Sequence, residues 1–363
     1  MGSIMEKQIK FGDDETKGHK RYSGADPGQK SSFVGQQHAG IGTVVDGKPS
    51  FGEVHGSQPL DMIESDLVSA EDNSLVEIFQ GSVEAQIDWL TRNQRLSSFQ
   101  LVYWDPPFYS GKDYGDGALG FSDRWPNFSS YLAQMESHMR QLKNLLQPTG
   151  FLVLHCDWHA SHYLKVMGDK LFGYDNFRNE IIWHYTGRRQ PSRVSVNAKH
   201  DVLLIWAVSS ASAMAPIFEK WNRNEYVAMK KQKVHRDEDG REWIWGHQGK
   251  GRSHAYRIYL DEVVGRGRAI DSVWDMPIIN TSAKERVGYP TQKPLQLLER
   301  VILLLSKPGD WVADLMAGSG TTGVAAQSCG RHAWIGDKNP NAIEISAHRL
   351  KGVKNARLIK HSE

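Results

Sequence analysis

Between about residues 74 and 350, short apolar runs alternate with stretches of helical apolar spacing, and this alternation restricts the fold more than any other feature. Ser74–Phe79 and Phe99–Trp104 read as strands. The second is stopped by Pro106-Pro107, because proline cannot continue a central ladder. Phe128–Leu146 carries Leu132, Met135, Met139, Leu142 and Leu146 on one helical face, and Gly150 introduces the strand Phe151–Cys156. A helix is expected over Ser161–Leu171, ended by Gly173. Glu180–Tyr185 and Asp201–Val208 follow as strands with no helical segment between them, which allows an antiparallel pair. After an interruption the pattern resumes as helix Pro294–Ser306, strand Trp311–Asp314, helix Thr321–Gly330, strand His332–Gly336 and helix Asn341–Leu350. Such alternation implies a mainly parallel sheet covered on both faces.

Two stretches stand outside this pattern. Residues 1–60 hold eleven glycines and few large aliphatics, too little apolar surface to offset the entropy of ordering. Residues 1–65 are therefore expected to be a disordered N-terminal arm. Residues 210–285 are rich in Trp, Arg, Lys and Gly, as in Trp243-Ile244-Trp245 and Gly265-Arg266-Gly267-Arg268. The formal charge is only +2, so any nucleic-acid footprint must be local. Cys156 and Cys329 are too few for a disulfide framework, and no apolar stretch approaches the length of a membrane span, so a cytoplasmic protein is expected.

Asp314-Leu315-Met316-Ala317-Gly318-Ser319-Gly320-Thr321-Thr322-Gly323 spans a strand end, a turn and a helix start. Glycine lets the backbone bend and lets a ligand approach, and the first helix amides favour an anionic group. Asp337 ends the next strand, where a carboxylate can accept hydrogen bonds from two ribose hydroxyls. A phosphate-binding P-loop needs Lys after its last glycine, but Val324 follows Gly323, which argues against an NTPase. Gly318, Gly320 and Gly323 also satisfy the dinucleotide spacing Gly-x-Gly-x-x-Gly, as can a tight turn without a ligand.

Asp105-Pro106-Pro107-Phe108 can be no more than a proline-terminated strand, yet it suits one particular chemistry. The exocyclic amino group of adenine or cytosine is a poor nucleophile because its lone pair is delocalised into the ring. Acceptors placed on its N–H groups draw the nitrogen toward tetrahedral geometry and free that pair. Asp105 and a neighbouring carbonyl can do this, on a backbone stiffened by two prolines. Phe108 can stack on a base that has left the duplex. Such catalysis is positioning and electrostatics.

With these motifs in this order, the chain resembles the beta class of S-adenosylmethionine-dependent DNA amino-methyltransferases. That class places the catalytic motif first, then the target-recognition region, then the cofactor motifs. Tyr289-Pro290-Thr291-Gln292-Lys293-Pro294 is similar to the family's Pro-Thr-Gln-Lys-Pro segment beside the methionine part of the cofactor. His155-Cys156-Asp157-Trp158-His159 and Asn176–Trp183 are similar in type, and the resemblance covers about residues 76–350. It implies an α/β fold, a circularly permuted Rossmann-like methyltransferase. The sheet would be seven-stranded and mostly parallel, with one antiparallel strand and an inserted target-recognition region. The parts fall as a catalytic half (66–209), the target-recognition region (210–285), a cofactor-binding half (286–352) and a C-terminal tail (353–363).

The resemblance also implies roles. Asp105, Pro106, Pro107 and Phe108 carry over as catalytic residues. Asp314, Ala317, Gly318, Gly320, Thr321, Thr322, Asp337, Thr291, Gln292 and Lys293 carry over as contacts to S-adenosyl-L-methionine, with no metal. Tyr109, Lys112, Tyr185, Arg188 and Arg189 are expected at the base or the DNA. Double-stranded DNA is the implied partner of a bacterial, archaeal or phage-type enzyme; a homodimer and a companion restriction nuclease are left open. The chain departs from the family pattern at four places. Leu315-Met316 stands for Pro-Phe, Tyr109 for Asn, Ser82 for Asp, and Ile335 for Gly two residues before Asp337.

Asp105 favours adenine N6, since the family's cytosine-N4 enzymes more often carry Ser there. The cytosine enzyme remains an alternative, and so does a DNA-binding protein that keeps the fold without transferring methyl groups. From Glu219 to Arg268 there are 12 Lys/Arg against 8 Asp/Glu, interleaved with Trp, Tyr and His, a setting for phosphate contact and base reading. His235, His247 and His254 lack metal-ligand spacing.

Overall fold

The computed structural model describes residues 74–115, 119–187, 193–247, 255–351 and 355–359. The expected N-terminal arm, Arg188 and Arg189 lie outside them. Nine strands form one sheet. In chain order they are β1 (Val76–Gln80), β2 (Phe99–Trp104), β3 (Leu146–Cys156), β4 (Phe177–His184), β5 (His200–Ala207), β6 (Val273–Asp275), β7 (Trp311–Asp314), β8 (His332–Asp337) and β9 (Ala356–Ile359). Their spatial order is β6-β4-β5-β3-β2-β7-β8-β1-β9. β5 runs antiparallel to both neighbours, β3 and β4. The other adjacent pairs are parallel.

The sheet is thus mostly parallel with one reversed strand, but it has nine strands and not the expected seven. Both additions are short edge strands. β6 comes from the stretch expected to be target-recognition region and pairs with β4, and β9 comes from the expected tail and pairs with β1. Neither carries a periodic apolar signal; each is held by the open ladder of its neighbour. β9 is also held by an ion pair between Arg357 and the buried Glu77 of β1.

The sheet is covered on both sides because residues along its strands alternate faces. Val102, Trp104, Leu152 and Leu154 face the helices α1 (Val83–Arg92), α2 (Phe128–Leu145) and α3 (Ser161–Phe172). Leu101, Tyr103, Phe151 and Val153 share the opposite core with helices near the C-terminus. α2 begins where the Asn127 side chain accepts the Ser130 amide at 2.8 Å, and it buries Met135, Met139 and Leu142 as its spacing foretells. The sequence reading did not anticipate α1. Ser82 caps it, its hydroxyl accepting the Ala85 amide at 3.2 Å. Ser and Asp serve alike at an N-cap, which accounts for Ser82 in place of the family's Asp.

Within residues 210–285, α4 (Arg223–Lys230) and α5 (Leu260–Arg266) pack around Tyr226, Ile244, Leu260 and Val263. With them lies a three-stranded antiparallel sheet of His235–Arg236, Glu242–His247 and Ala255–Tyr259. Glu219 ties this region to α6 (Leu295–Leu305) through Arg300, at 2.7 Å. α7 (Thr321–Ser328) and α8 (Pro340–Arg349) complete the second covering layer. Among the described residues no helix is long and apolar enough to cross a membrane.

Candidate active site

Parallel strands bring their carboxyl ends to one edge of the sheet. β2 and β7 are neighbours, with Leu101 opposite Val312 and Val102 opposite Ala313. From β2 the chain moves to β3 on one side, and from β7 to β8 on the other. A crevice opens where the direction of winding reverses, and it is where open α/β sheets bind ligands. Asp105 and Asp314 stand there on adjacent strands. Because β5 is reversed, its first residues, including Asp201, lie at the same edge opposite Trp183.

The Gly-rich turn is held from within. Asp314 is 2% exposed and accepts the Thr322 hydroxyl at 2.5 Å and the Met316 amide at 3.1 Å. Burial pushes its carboxyl up to about 7, although both hydrogen bonds pull the other way. Asp337 accepts the Gly318 amide at 2.9 Å and the Asn339 amide at 2.8 Å; burial still raises it above the usual carboxylate range. The Ala317 amide donates to Gly336 O at 2.9 Å, and the Gly320 amide to Ala317 O at 2.8 Å. Four turn amides are therefore committed to the fold, so the turn does not offer the phosphate cradle that free amides would. A buried carboxylate at the end of β8 beside a glycine turn fits a nucleoside instead.

Thr321 and Thr322 were expected among the cofactor contacts, but both are buried and their hydroxyls are spent inside the protein. Thr321 accepts from Arg349 at 2.9 Å, and Thr322 donates to Asp314. Gly318 and Gly320 have φ of 52° and 73°. A Cβ on Gly318 would lie 2.8 Å from the Tyr289 ring, and one on Gly320 2.5 Å from Ser346 Oγ. Gly336 has its own reason for standing next to Asp337: a Cβ there would lie 2.0 Å from Gln86 Oε1. Gln86 passes behind the site, donating to Leu315 O at 2.9 Å and to Gly81 O at 3.1 Å.

At the clamp, Lys293 Nζ pairs with Asp105 Oδ2. Lys293 was expected beside the methionine part of the cofactor; here its ammonium lies on the carboxylate of Asp105. Asp105 Oδ1 is buried and, among the described residues, without a hydrogen-bond partner. Pro107 O accepts the Tyr131 hydroxyl at 3.0 Å. The Phe108 ring packs 5.8 Å from the His155 ring, with Lys293 Nζ 5.6 Å from its centroid. Gln292 turns away from the crevice, donating to Glu285 O at 2.6 Å and accepting the Val287 amide at 2.9 Å. Thr291 is half-buried in the same segment.

The loop after the prolines is organised by Asp123, which the sequence reading missed. Its carboxylate is 1% exposed. Oδ2 accepts from the Phe108 amide (3.1 Å), the Ser110 amide (2.7 Å) and the Ser110 hydroxyl (2.7 Å). Oδ1 accepts from the Tyr109 amide (3.0 Å) and Trp125 Nε1 (3.1 Å). These bonds hold Tyr109 at a φ of 63°, in the left-handed region. Asn tolerates that region better than Tyr, which gives the family's Asn at this position a physical reason. The Tyr109 ring, expected at the base or the DNA, packs on Phe128 and Tyr131, at 4.8 and 5.4 Å. Lys112 is exposed, and its carbonyl accepts the Asp123 amide at 2.8 Å. The Tyr185 hydroxyl donates to Asp201 Oδ1 at 3.1 Å. Burial pushes Asp201 up, but its bonds to His155 and Tyr185 and the charge of Lys293 hold it below the usual carboxylate value.

Residues 99–348 match the family model described as DNA methylase of the N6/N4 type. The type II methyltransferase M2.DpnII of Streptococcus pneumoniae is 36% identical over 267 residues, covering 70% of this chain and 83% of that protein. The DNA adenine methyltransferase YhdJ of Escherichia coli K12 is 25% identical over 257 residues, 70% of this chain and 76% of its own. Among solved structures, the cytosine-N4-specific PvuII DNA methyltransferase aligns with a TM-score of 0.49 at 16% identity, over 76% of this chain and 86% of that one.

Proposed function

We infer that this chain, which belongs to the N6/N4 DNA methylase family and is an S-adenosylmethionine-dependent DNA amino-methyltransferase, methylates N6 of an adenine lifted out of the duplex. The observation that carries this reading is Asp105 Oδ1. Among the described residues it is a buried acceptor without a donor, while its twin oxygen is held by Lys293. An acceptor so placed calls for an N–H from a ligand. Asp at this position supports adenine over cytosine, and the relative YhdJ is named for adenine.

S-Adenosylmethionine supplies a methyl group on a positively charged sulfur, open to attack by a nitrogen lone pair. Asp337 would hold its ribose hydroxyls, Gly318 and Gly320 would let it lie close to the turn, and Met316 would cover its adenine with a pliant side chain. Asp105 Oδ1 and the Pro106 carbonyl accept the two N–H bonds of the target amino group. Phe108 stacks on the base, and Lys293 holds the other oxygen of the Asp105 carboxylate. The region between Glu219 and Arg268, with Trp245 and Tyr256 exposed, is the proposed DNA-reading surface. The test is to incubate the enzyme with unmethylated genomic DNA and cofactor, digest to nucleosides and weigh the product. N6-methyldeoxyadenosine is expected. N4-methyldeoxycytidine would overturn the choice of base, and cofactor binding without any modified nucleoside would identify a fold kept without transfer. Asp105→Ala should bind cofactor normally and lose turnover.

A further inference from the structure

His155, next to last in β3, is fully buried, yet its ring carries polar partners on both sides. The Tyr103 hydroxyl lies 2.6 Å from Nδ1, and Asp201 Oδ2 lies 3.3 Å from Nε2. Asp201 in turn accepts the Tyr185 hydroxyl. The same Nδ1 is 3.9 Å from Asp105 Oδ1, the oxygen without a hydrogen-bond partner among the described residues. The ring also backs Phe108 at an interplanar angle of 33°, and meets Trp183 edge-on at 5.6 Å. One imidazole therefore touches both halves of the clamp, the carboxylate and the aromatic platform. A histidine buried only to fill space would not be flanked by two carboxylates, since buried polar groups are costly unless paired.

We propose that His155 is a positioning residue for methyl transfer: with Tyr103 and Asp201 it orients Asp105 Oδ1 toward the target amino group and supports Phe108 from behind. The proposal rests on Asp105 being the amino acceptor. The carboxylate torsion of an aspartate is broad, so the single bond from Lys293 leaves Oδ1 room to swing. Asp201 accepts only, so Nε2 carries a proton. Nδ1 is then the acceptor for the Tyr103 hydroxyl, and this bond from one side and Asp201 from the other fix the ring plane against Asp105 and Phe108. Tyr103, Asp201 and His155 come from three adjacent strands, β2, β5 and β3, so the arrangement is as rigid as the sheet.

The test compares full-length His155→Leu and His155→Asn. Each is assayed for single-turnover methylation of unmethylated plasmid DNA, KM for DNA, cofactor affinity by calorimetry, and melting temperature. His155→Leu is expected to lower kcat by about 100-fold, as a 1 Å misplacement does. KM and cofactor affinity should stay within about threefold, by the same argument that only positioning is lost. His155→Asn, whose side-chain amide stands near the Nδ1 position and can accept the Tyr103 hydroxyl, should recover at least a tenth of wild-type kcat even if it melts lower than the Leu variant. A packing role reverses that order, because the apolar side chain is then the better tolerated one. The proposal is overturned if kcat of the Leu variant stays within threefold of wild type, or if Asn is no better than Leu. Should the Leu variant not fold, Tyr103→Phe removes only the hydroxyl; it should lower kcat several-fold without changing cofactor affinity, and unchanged kcat overturns the proposal. Full turnover in Asp105→Ala would instead remove the premise about the acceptor, and is read separately from the His155 variants.

Discussion

Asp123→Asn is the most incisive test of how the clamp is built. The substitution keeps shape and volume but replaces one carboxylate oxygen with an NH2 group. Oδ2 now accepts three donors and Oδ1 two, so whichever way the amide faces, at least two donors meet a donor. A hydrogen bond to a charged group contributes about 1.5–3 kcal/mol, and the bonds are not additive, so a loss of about 3 kcal/mol in loop stability is expected. The left-handed φ of Tyr109, which costs about 1–2 kcal/mol, is then no longer opposed. The loop carrying Phe108 should relax, and a shift on the order of 1 Å lowers turnover about 100-fold. Cofactor affinity should hold, because Asp337 and the Gly-rich turn hang on β7 and β8. Single-turnover methylation and calorimetry are run side by side. A rate within threefold of wild type, or a rate loss matched by an equal loss of cofactor affinity, would refute this account of the loop.

Other expectations concern the turn and the sheet. Gly320→Ala places a Cβ 2.5 Å from Ser346 Oγ at a φ of 73°, so it should cost about 1–3 kcal/mol of stability and weaken cofactor binding more than tenfold; unchanged calorimetry would count against it. Asp314 has its folded value raised from 3.8 to about 7, so its contribution to stability is complete below pH 3.8 and is lost as pH rises through 7. Urea unfolding should therefore show wild type losing stability relative to Asp314→Asn between pH 5 and pH 8, by at most about 3 kcal/mol; a constant difference would contradict the shift. Glu84, lowered to about 2, acts with the opposite sign and only below its ordinary 4.5, outside that window. Glu77→Gln removes the buried carboxylate shared by Arg95 and Arg357; about 3 kcal/mol should be lost and β9 should become the first site of proteolysis, which timed digestion would show.

Much of the architecture was legible because apolar periodicity is local. β2, β7, β8 and the helices after residue 294 fall within a few residues of their expected bounds, and the missing helical segment between β4 and β5 correctly allowed an antiparallel pair. The misses have physical causes. α1 is only ten residues long, its buried face includes the polar Gln86, and the Ser82 cap is a single hydroxyl. β6 and β9 are strands only because a neighbour offers an open ladder. Asp123 looks like any loop aspartate until three amides converge on it. One departure from the family pattern also became intelligible: Ser82 caps as Asp would.

The sequence by itself determined the chemical inventory: an acceptor followed by two prolines and an aromatic ring, a glycine turn after a strand, an acidic residue ending the next strand, and their order. Those are covalent neighbours, and spacing along the chain suffices to read them. Only the tertiary structure decided that β2 and β7 lie side by side, setting Asp105 and Asp314 at one crevice across 209 positions of the chain. It also put Lys293 on Asp105 and, by reversing β5, brought Asp201 to His155. Those meetings follow from which ladders pair and which faces bury, a choice made by the whole core at once and written in no single segment.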